Sequence, residues 1–417
     1  MAAALGVLVS CGSVKSGEEA IAASRESKVV VAYVTSWSEV MPDPQYMTHI
    51  NYAFGHVNES FNGVKIDNEE RLRQIVDLRK QKPELKVLLS IGGWGSGRFS
   101  EMAANDEYRR AFAADCDRVV KEFALDGIDI DWEYPTSSMA NISSSPDDTE
   151  NFTLLMQDIR AAIGNEKELT LATVASARYI DFKAILPSVD FVNIMAYDMA
   201  SAPKHHSALY PSGHSGDITS DGAVTAHLKA GVPPSKLVMG MPFYGRGGDG
   251  YPSFQDYNKV GNTDTQYTEK WDEVAQVPYL ADKNDTLVFG FENPRSLAIK
   301  CQYILDKDLL GGMYWDYSGD NEQGDLRRTV AENLLGKPHK AKVLVLTERG
   351  GQHGGFTDAG LRWLAAEGAK GNFSITEINN ARNITEAYLS QFSLVIQLDF
   401  PPYTWPVSYT HLRAHET

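Results

Sequence analysis

Leu125-Asp126-Gly127-Ile128-Asp129-Ile130-Asp131-Trp132-Glu133-Tyr134-Pro135 alternates acidic and apolar side chains with a period of two. That period predicts a β-strand. Asp129, Asp131 and Glu133 then face one side, and Ile128, Ile130 and Trp132 face the other. The apolar set suits a helix-packed exterior, so the carboxylates point into an enclosed lumen. They also fall near the end of the strand, where barrels keep their active sites. Three carboxylates sharing one lumen repel each other, and burial adds to the cost. At least one pKa is therefore expected to rise. A carboxyl group that keeps its proton at neutral pH is what a general acid requires.

Working outward, the run is the fourth of eight short apolar stretches. The others are Val29–Val34, His49–Phe54, Val87–Ile91, Leu169–Ala175, Phe191–Tyr197, Leu237–Phe243 and Gly311–Trp315. Several are nearly continuous in apolar residues, as parallel strands covered on both faces should be. Helical patterns separate them. Phe152, Leu155, Met156, Ile159 and Ile163 form one stripe, and Leu326, Val330 and Leu334 another, with Gly336 placed to stop the helix. Eight such units describe an α/β fold, a (β/α)8 TIM barrel over residues 28–336. A doubly wound sheet is the alternative, and the helix after the last run favours closure. Beyond Lys337 the pattern restarts as β-α-β-α-β over 337–406. This is expected to be a truncated open α/β domain of flavodoxin-like type. Residues 407–417 show neither period and read as a non-native tail.

Residues 1–27 read as a lipoprotein-type signal and tether. Leu8-Val9-Ser10-Cys11 resembles a lipobox, which implies a lipid anchor at Cys11 and a bacterial cell-envelope or extracellular location. Against 39 Lys and Arg stand 55 Asp and Glu, a formal net charge of −16. No nucleic-acid partner is expected from that balance. The seven Trp and nineteen Tyr suit stacking on flat ligand faces. Three Cys are too few for a disulfide framework.

Asp126-Gly-x-Asp129-x-Asp131-Trp-Glu133 resembles the catalytic signature of glycoside hydrolase family 18, the chitinases and related endo-N-acetylglucosaminidases. Ser90-Ile-Gly92-Gly93-Trp94, Met195-Ala-Tyr197-Asp198, Pro242-Phe-Tyr244-Gly-Arg246 and Gly312-Met-Tyr-Trp315-Asp match further motifs of that family, in order along the barrel. The resemblance implies that Glu133 is the general acid, Asp131 orients the substrate's N-acetyl group and Asp129 shares a proton with it. The nucleophile would be the substrate's own acetamido oxygen, giving a cyclic oxazolinium ion and net retention, an exception to the two-carboxylate scheme. Tyr197 would hydrogen-bond the acetamido carbonyl, beside Asp198 and Met195. Trp315 would floor the −1 sugar. Tyr33 and Ser90 match donors behind the site near Asp129. Tyr244 and Arg246 match substrate-contacting positions, Phe54 matches a lining aromatic and Trp94 a product-side aromatic, and Tyr134 completes the substrate-binding set. No cofactor or metal is implied, and a monomer is expected.

His205, His206 and His214 cluster after the sixth run without a carboxylate or Cys to complete a ligand set, so they are expected to line a loop over the groove. Between the seventh and eighth runs, Gly247–Pro294 reads as a modest stretch where some relatives carry a large α+β insertion. This predicts a shallow, open groove and endo-type, non-processive cutting. The segment from Val343 to Trp405 resembles the start of a trehalose-utilisation-type domain with a glutamine-amidotransferase-like fold. The expected activity is hydrolysis of β-1,4-N-acetylglucosamine linkages in chitin and its oligosaccharides. Release of N-glycans and a non-catalytic chitin-binding lectin are the alternatives.

Overall fold

The computed structural model describes residues 28–248, 251–260, 267–336, 341–347, 354–369, 373–378, 386–389, 392 and 394–398. Cys11 and the 407–417 tail lie outside them. The chain divides into two units at Gly336.

The first unit is a closed barrel. Its parallel strands are Val29–Thr35, His49–Val57, Lys86–Gly92, Gly127–Asp131, Glu168–Val174, Phe191–Met195, Leu237–Pro242 and Gly311–Trp315. Each pairs in parallel with the next, and the first also pairs with the eighth, Val29 lying opposite Gly311. That last pairing removes the open edges a doubly wound sheet would have. A short antiparallel strand, Val64–Ile66, adds to the second strand.

Alternation sorts the side chains as the fourth run predicts. Val31 and Tyr33 fill the lumen with Ala53, Phe54, Phe191, Val238 and Met313. Val30, Ala32 and Val34 turn outward into the core shared with the helices. Ile128, Ile130 and Trp132 do the same, and Trp132 stacks on Phe99 at 5.3 Å with Phe152 edge-on at 5.9 Å. Full burial of each large apolar side chain contributes about 1.5–3 kcal/mol. The helices start and stop where the sequence supplies caps. Asn105 accepts from the Glu107 and Tyr108 amides (2.9 and 3.0 Å) at the start of Asp106–Glu122, and Gly336 ends Asp325–Leu335 at φ 59°.

One expectation is corrected here. The segment after the seventh strand is an ordered antiparallel sheet rather than a modest stretch. Its five strands are Tyr244–Gly247, Gln255–Asp256, Thr268–Asp272, Val277–Ala281 and Leu287–Gly290. It has its own apolar cluster of Tyr251, Leu280, Phe289 and Phe291. The strands are short, and Thr268–Asp272 carries three charged residues, so neither period is visible in the sequence.

The second unit contains a three-stranded parallel sheet in the order Phe373–Ile378, Ala341–Thr347, Leu394–Leu398, with helices Gly354–Ala369 and Glu386–Leu389. Among the described residues no helix is long and apolar enough to cross a membrane.

Candidate active site

The fourth strand positions three acids by register alone. Ser90, Asp129 and Thr170 lie opposite one another on the third, fourth and fifth strands, so both neighbours present hydroxyls to Asp129. Asp129 is fully buried and accepts four hydrogen bonds. Tyr33 Oη and Ser90 Oγ donate to Oδ2 (2.9 and 2.8 Å), and Thr170 Oγ1 and Asn193 Nδ2 donate to Oδ1 (2.6 and 3.3 Å). Burial still raises its pKa, against the pull of those donors.

Asp131 has no such shell. It is buried, and its Oδ1 has no hydrogen-bond partner. Burial, then the charges of Glu133 and Asp129, push its carboxyl well above the usual range. Glu133 lies at the lip of the lumen. Burial raises its pKa to about 7 against the hydrogen bond from Tyr134, which lowers it, and the charge of Asp198 adds a smaller push upward. Glu133 therefore holds its proton near neutral pH, as the alternation argument required.

Asp198 behaves in the opposite way. Burial works against its charge, but Arg246 and His206 outweigh it and hold the carboxyl well below the ordinary carboxylate range. Arg246 forms a fork on Asp198, Nε to Oδ1 and Nη2 to Oδ2, both at 2.6 Å. Its positive charge is thus committed to Asp198. Burial keeps the Tyr197 phenol neutral, and nearby acids reinforce this, so it remains a donor.

These groups open into a cavity of about 710 Å³. Glu133, Asp131, Tyr33, Phe54, Trp94, Tyr134, Met195, Tyr197, Asp198, Tyr244, Arg246 and Trp315 all line it. Asp129 and Ser90 do not, and act from behind through the hydrogen bonds above. Trp315 stacks on Phe54 (5.6 Å, 21°) and tilts against Tyr33 (5.7 Å) and Trp37 (6.5 Å). Tyr134 stacks on Tyr179 (5.5 Å) and meets Trp94 edge-on (6.4 Å). The insertion sheet supplies the opposite wall through Tyr244 and Arg246, and Phe254, between its first two strands, stacks on Tyr244 at 4.7 Å. The Ala53–Phe54, Glu133–Tyr134 and Trp315–Asp316 peptides are cis.

Sequence reading missed several of the lining residues, namely Trp37, Met139, Arg178, Tyr179 and Phe254. They lie in loops, where no period marks them. Thr170 and Asn193 were also missed, although alternation along the fifth and sixth strands places both in the lumen.

The histidines require a second correction. His205 and His206 are buried rather than lining a loop over the groove, and His214 is exposed. His205 Nε2 contacts Asp272 Oδ2 of the insertion sheet (3.1 Å), and burial lowers its pKa to about 4 despite that partner. Next to them Ser207 Oγ donates to the buried Glu292 (2.6 Å), which is paired with the buried Lys300. This polar seam joins the loop to the insertion sheet, which the sequence reading did not resolve. Among the described residues no group of three His, Cys, Asp or Glu is arranged to hold a metal ion.

The family model for glycosyl hydrolases family 18 matches residues 29–320, which include all eight barrel strands and the insertion. The chain belongs to glycosyl hydrolase family 18. It is 31% identical over 350 residues to chitotriosidase-1 of Mus musculus, covering 71% of this chain and 74% of that protein. It is 29% identical over 413 residues to chitinase A1 of Niallia circulans, covering 73% of this chain, and spans 58% of that relative's length. Among solved structures it superposes on a family 18 N-acetylglucosaminidase from Paenibacillus barengoltzii with TM-score 0.68 and 32% identity, over 74% of this chain and all of the other. These relatives and the family match make this family 18 chain a glycoside hydrolase of the chitinase type.

Proposed function

We propose that the protein hydrolyses β-1,4-N-acetylglucosamine linkages in chitin and chitooligosaccharides with retention, using the substrate's acetamido group as nucleophile. The carrying observation is the pairing of Glu133, which keeps its proton to about pH 7, with a buried Asp131 two residues earlier on the same strand. Glu133 protonates the glycosidic oxygen as the C1–O bond breaks. The acetamido oxygen closes on C1 and the charge that develops on the ring nitrogen lies beside Asp131. The unpartnered Oδ1 of Asp131 is free to accept that N–H. Tyr197 is the donor for the acetamido oxygen. Water then opens the oxazolinium ring and returns the proton to Glu133. Trp315, stacked on Phe54, supports the flat apolar face of the −1 sugar.

Exposed Trp37 and Trp94 stand on the first-strand and third-strand sides of the cavity, which suits a chain running through it and endo-type cutting. A product profile dominated by dimer from the earliest time points would count against this. The test of the main reading offers chitin oligosaccharides and a high-mannose glycoprotein side by side, with Glu133→Gln as control. Cleavage of the oligosaccharides, lost by about 10²–10⁴-fold in the variant, is the expected result. Glycan release alone would move the reading to an N-glycan endoglycosidase. Binding with no turnover would make the protein a lectin.

The lipobox-like Leu8–Cys11 supports a lipid-anchored enzyme of the cell envelope, and the parallel sheet of the second unit supports an open α/β domain of trehalose-utilisation type.

A further inference from the structure

Trp94 is 61% exposed and is carried by Gly93-Trp94-Gly95-Ser96-Gly97, a loop with three glycines in five residues directly after the third strand. Such a backbone has little stiffness of its own. A large exposed ring on it must be held from outside if it is to present one face to a sugar.

The structure supplies a hold. His56, on the second strand, lies between two oxygens from other segments. Its Nε2 is 3.0 Å from Asp67 Oδ2, and its Nδ1 is 2.8 Å from Ser96 Oγ. The proton inventory orients the chain. The Asp67 carboxylate can only accept, so Nε2 carries a hydrogen, and in the neutral ring Nδ1 then accepts from the Ser96 hydroxyl. The His56 ring also packs on Phe54 at 6.3 Å, and a Cβ built on Gly93 would meet that same Phe54 ring at 2.8 Å. The loop is thus seated on Phe54 at one end and tied through Ser96 at the other, with Trp94 between them. Neither His56 nor Ser96 lines the cavity, so neither touches a sugar there directly.

We propose that His56 is a positioning residue for the leaving-group side of the site. By linking Asp67 to Ser96 it fixes the glycine-rich loop so that Trp94 stacks on the N-acetylglucosamine unit beyond the scissile bond. The inference rests on the substrate-assisted reading above and adds a specific consequence. The sugar that Trp94 holds is the leaving group in cleavage and the acceptor in the reverse sense. Loosening the tether should therefore penalise transfer to a sugar more than transfer to water.

The experiment gives the full chain chitobiose oxazoline as donor and chitobiose as acceptor. In transfer, the acceptor hydroxyl attacks C1 and the C1–O bond of the oxazoline ring breaks. Its electron pair returns to the acetamido oxygen, and the hydroxyl hydrogen ends on the acetamido nitrogen, giving tetrasaccharide. Water in place of the acceptor gives chitobiose. His56→Phe and Ser96→Ala are each expected to lower the tetrasaccharide-to-hydrolysis ratio about fivefold, the size of one lost hydrogen bond. His56→Gln, whose amide can donate to Asp67 and accept from Ser96, is expected to restore most of it. Ser96→Ala removes only an oxygen from a half-buried position, so it reports even if His56→Phe folds poorly. An unchanged ratio in Ser96→Ala, or a His56→Gln value as low as that of His56→Phe, overturns the tether. A wild-type protein that consumes no oxazoline overturns the substrate-assisted reading, and the proposal with it.

Discussion

Glu133 and Asp198 are both cleft carboxyls, yet their environments drive them apart. Burial raises Glu133 to about 7, while the Arg246 fork and His206 overcome burial at Asp198 and keep it ionised. A general acid works only while protonated, so kcat/KM should fall as pH rises through about 7, the value for Glu133 in the free protein. Asp198 contributes to that elevation by its charge. Asp198→Asn should therefore move the basic limb to lower pH, by less than about one unit because burial is the larger cause. A limb that stays in place, or moves up, would show that Asp198 does not act on Glu133. Asp131→Asn removes the carboxyl group placed to accept the N–H of the developing oxazolinium ion and should lower kcat by about 10²–10³-fold, measured on chitotetraose. At this scale much of the site was legible. The fourth-strand acids follow from period-two alternation, and the aromatic partners from family motifs. The partners of Asp129 were only half visible. Tyr33 and Ser90 come with motifs, whereas Thr170 and Asn193 depend on cross-strand register 41 and 64 residues away.

The third strand and the loop after it show what an element must give up to place the acids. Gly92 sits at φ 132° opposite Asp131, and a Cβ there would lie 2.0 Å from the Asp131 carbonyl oxygen. No side chain fits without separating the third and fourth strands. Gly92→Ala should therefore lower Tm by more than about 5 °C, taking roughly 2–4 °C per kcal/mol for a domain of this size. Thermal unfolding followed by circular dichroism would measure it, and an unchanged Tm would contradict the packing. Barrel strands were readable because both faces are buried and the runs are nearly continuous in apolar residues. The insertion strands were not, because charged residues such as Glu269, Lys270 and Asp272 interrupt them and their stability comes from a small separate cluster, Tyr251, Leu280, Phe289 and Phe291. The histidine seam was hidden for the same reason, since Asp272 and Glu292 become neighbours of His205 and Ser207 only once that sheet exists.

Across the whole molecule, the chain resolves into a barrel unit ending at Gly336 and a second unit with apolar clusters of its own, Leu344 with Leu346 and Val343 with Val345 and Leu364. All the acids and aromatics of the cavity belong to the first unit. Residues 28–336 expressed alone should retain chitooligosaccharide hydrolysis within about twofold of the full chain, since a core of this size supports an independent domain. A loss above tenfold would place part of the machinery elsewhere. The decisive measurement is the anomeric configuration of the first product released from chitotetraose, followed by proton NMR before mutarotation. Attack by the acetamido oxygen and then by water inverts C1 twice, so the β-anomer must appear first. An initial α-anomer would mean a single displacement by water, and would contradict the role assigned to Asp131 and the substrate's own acetamido group.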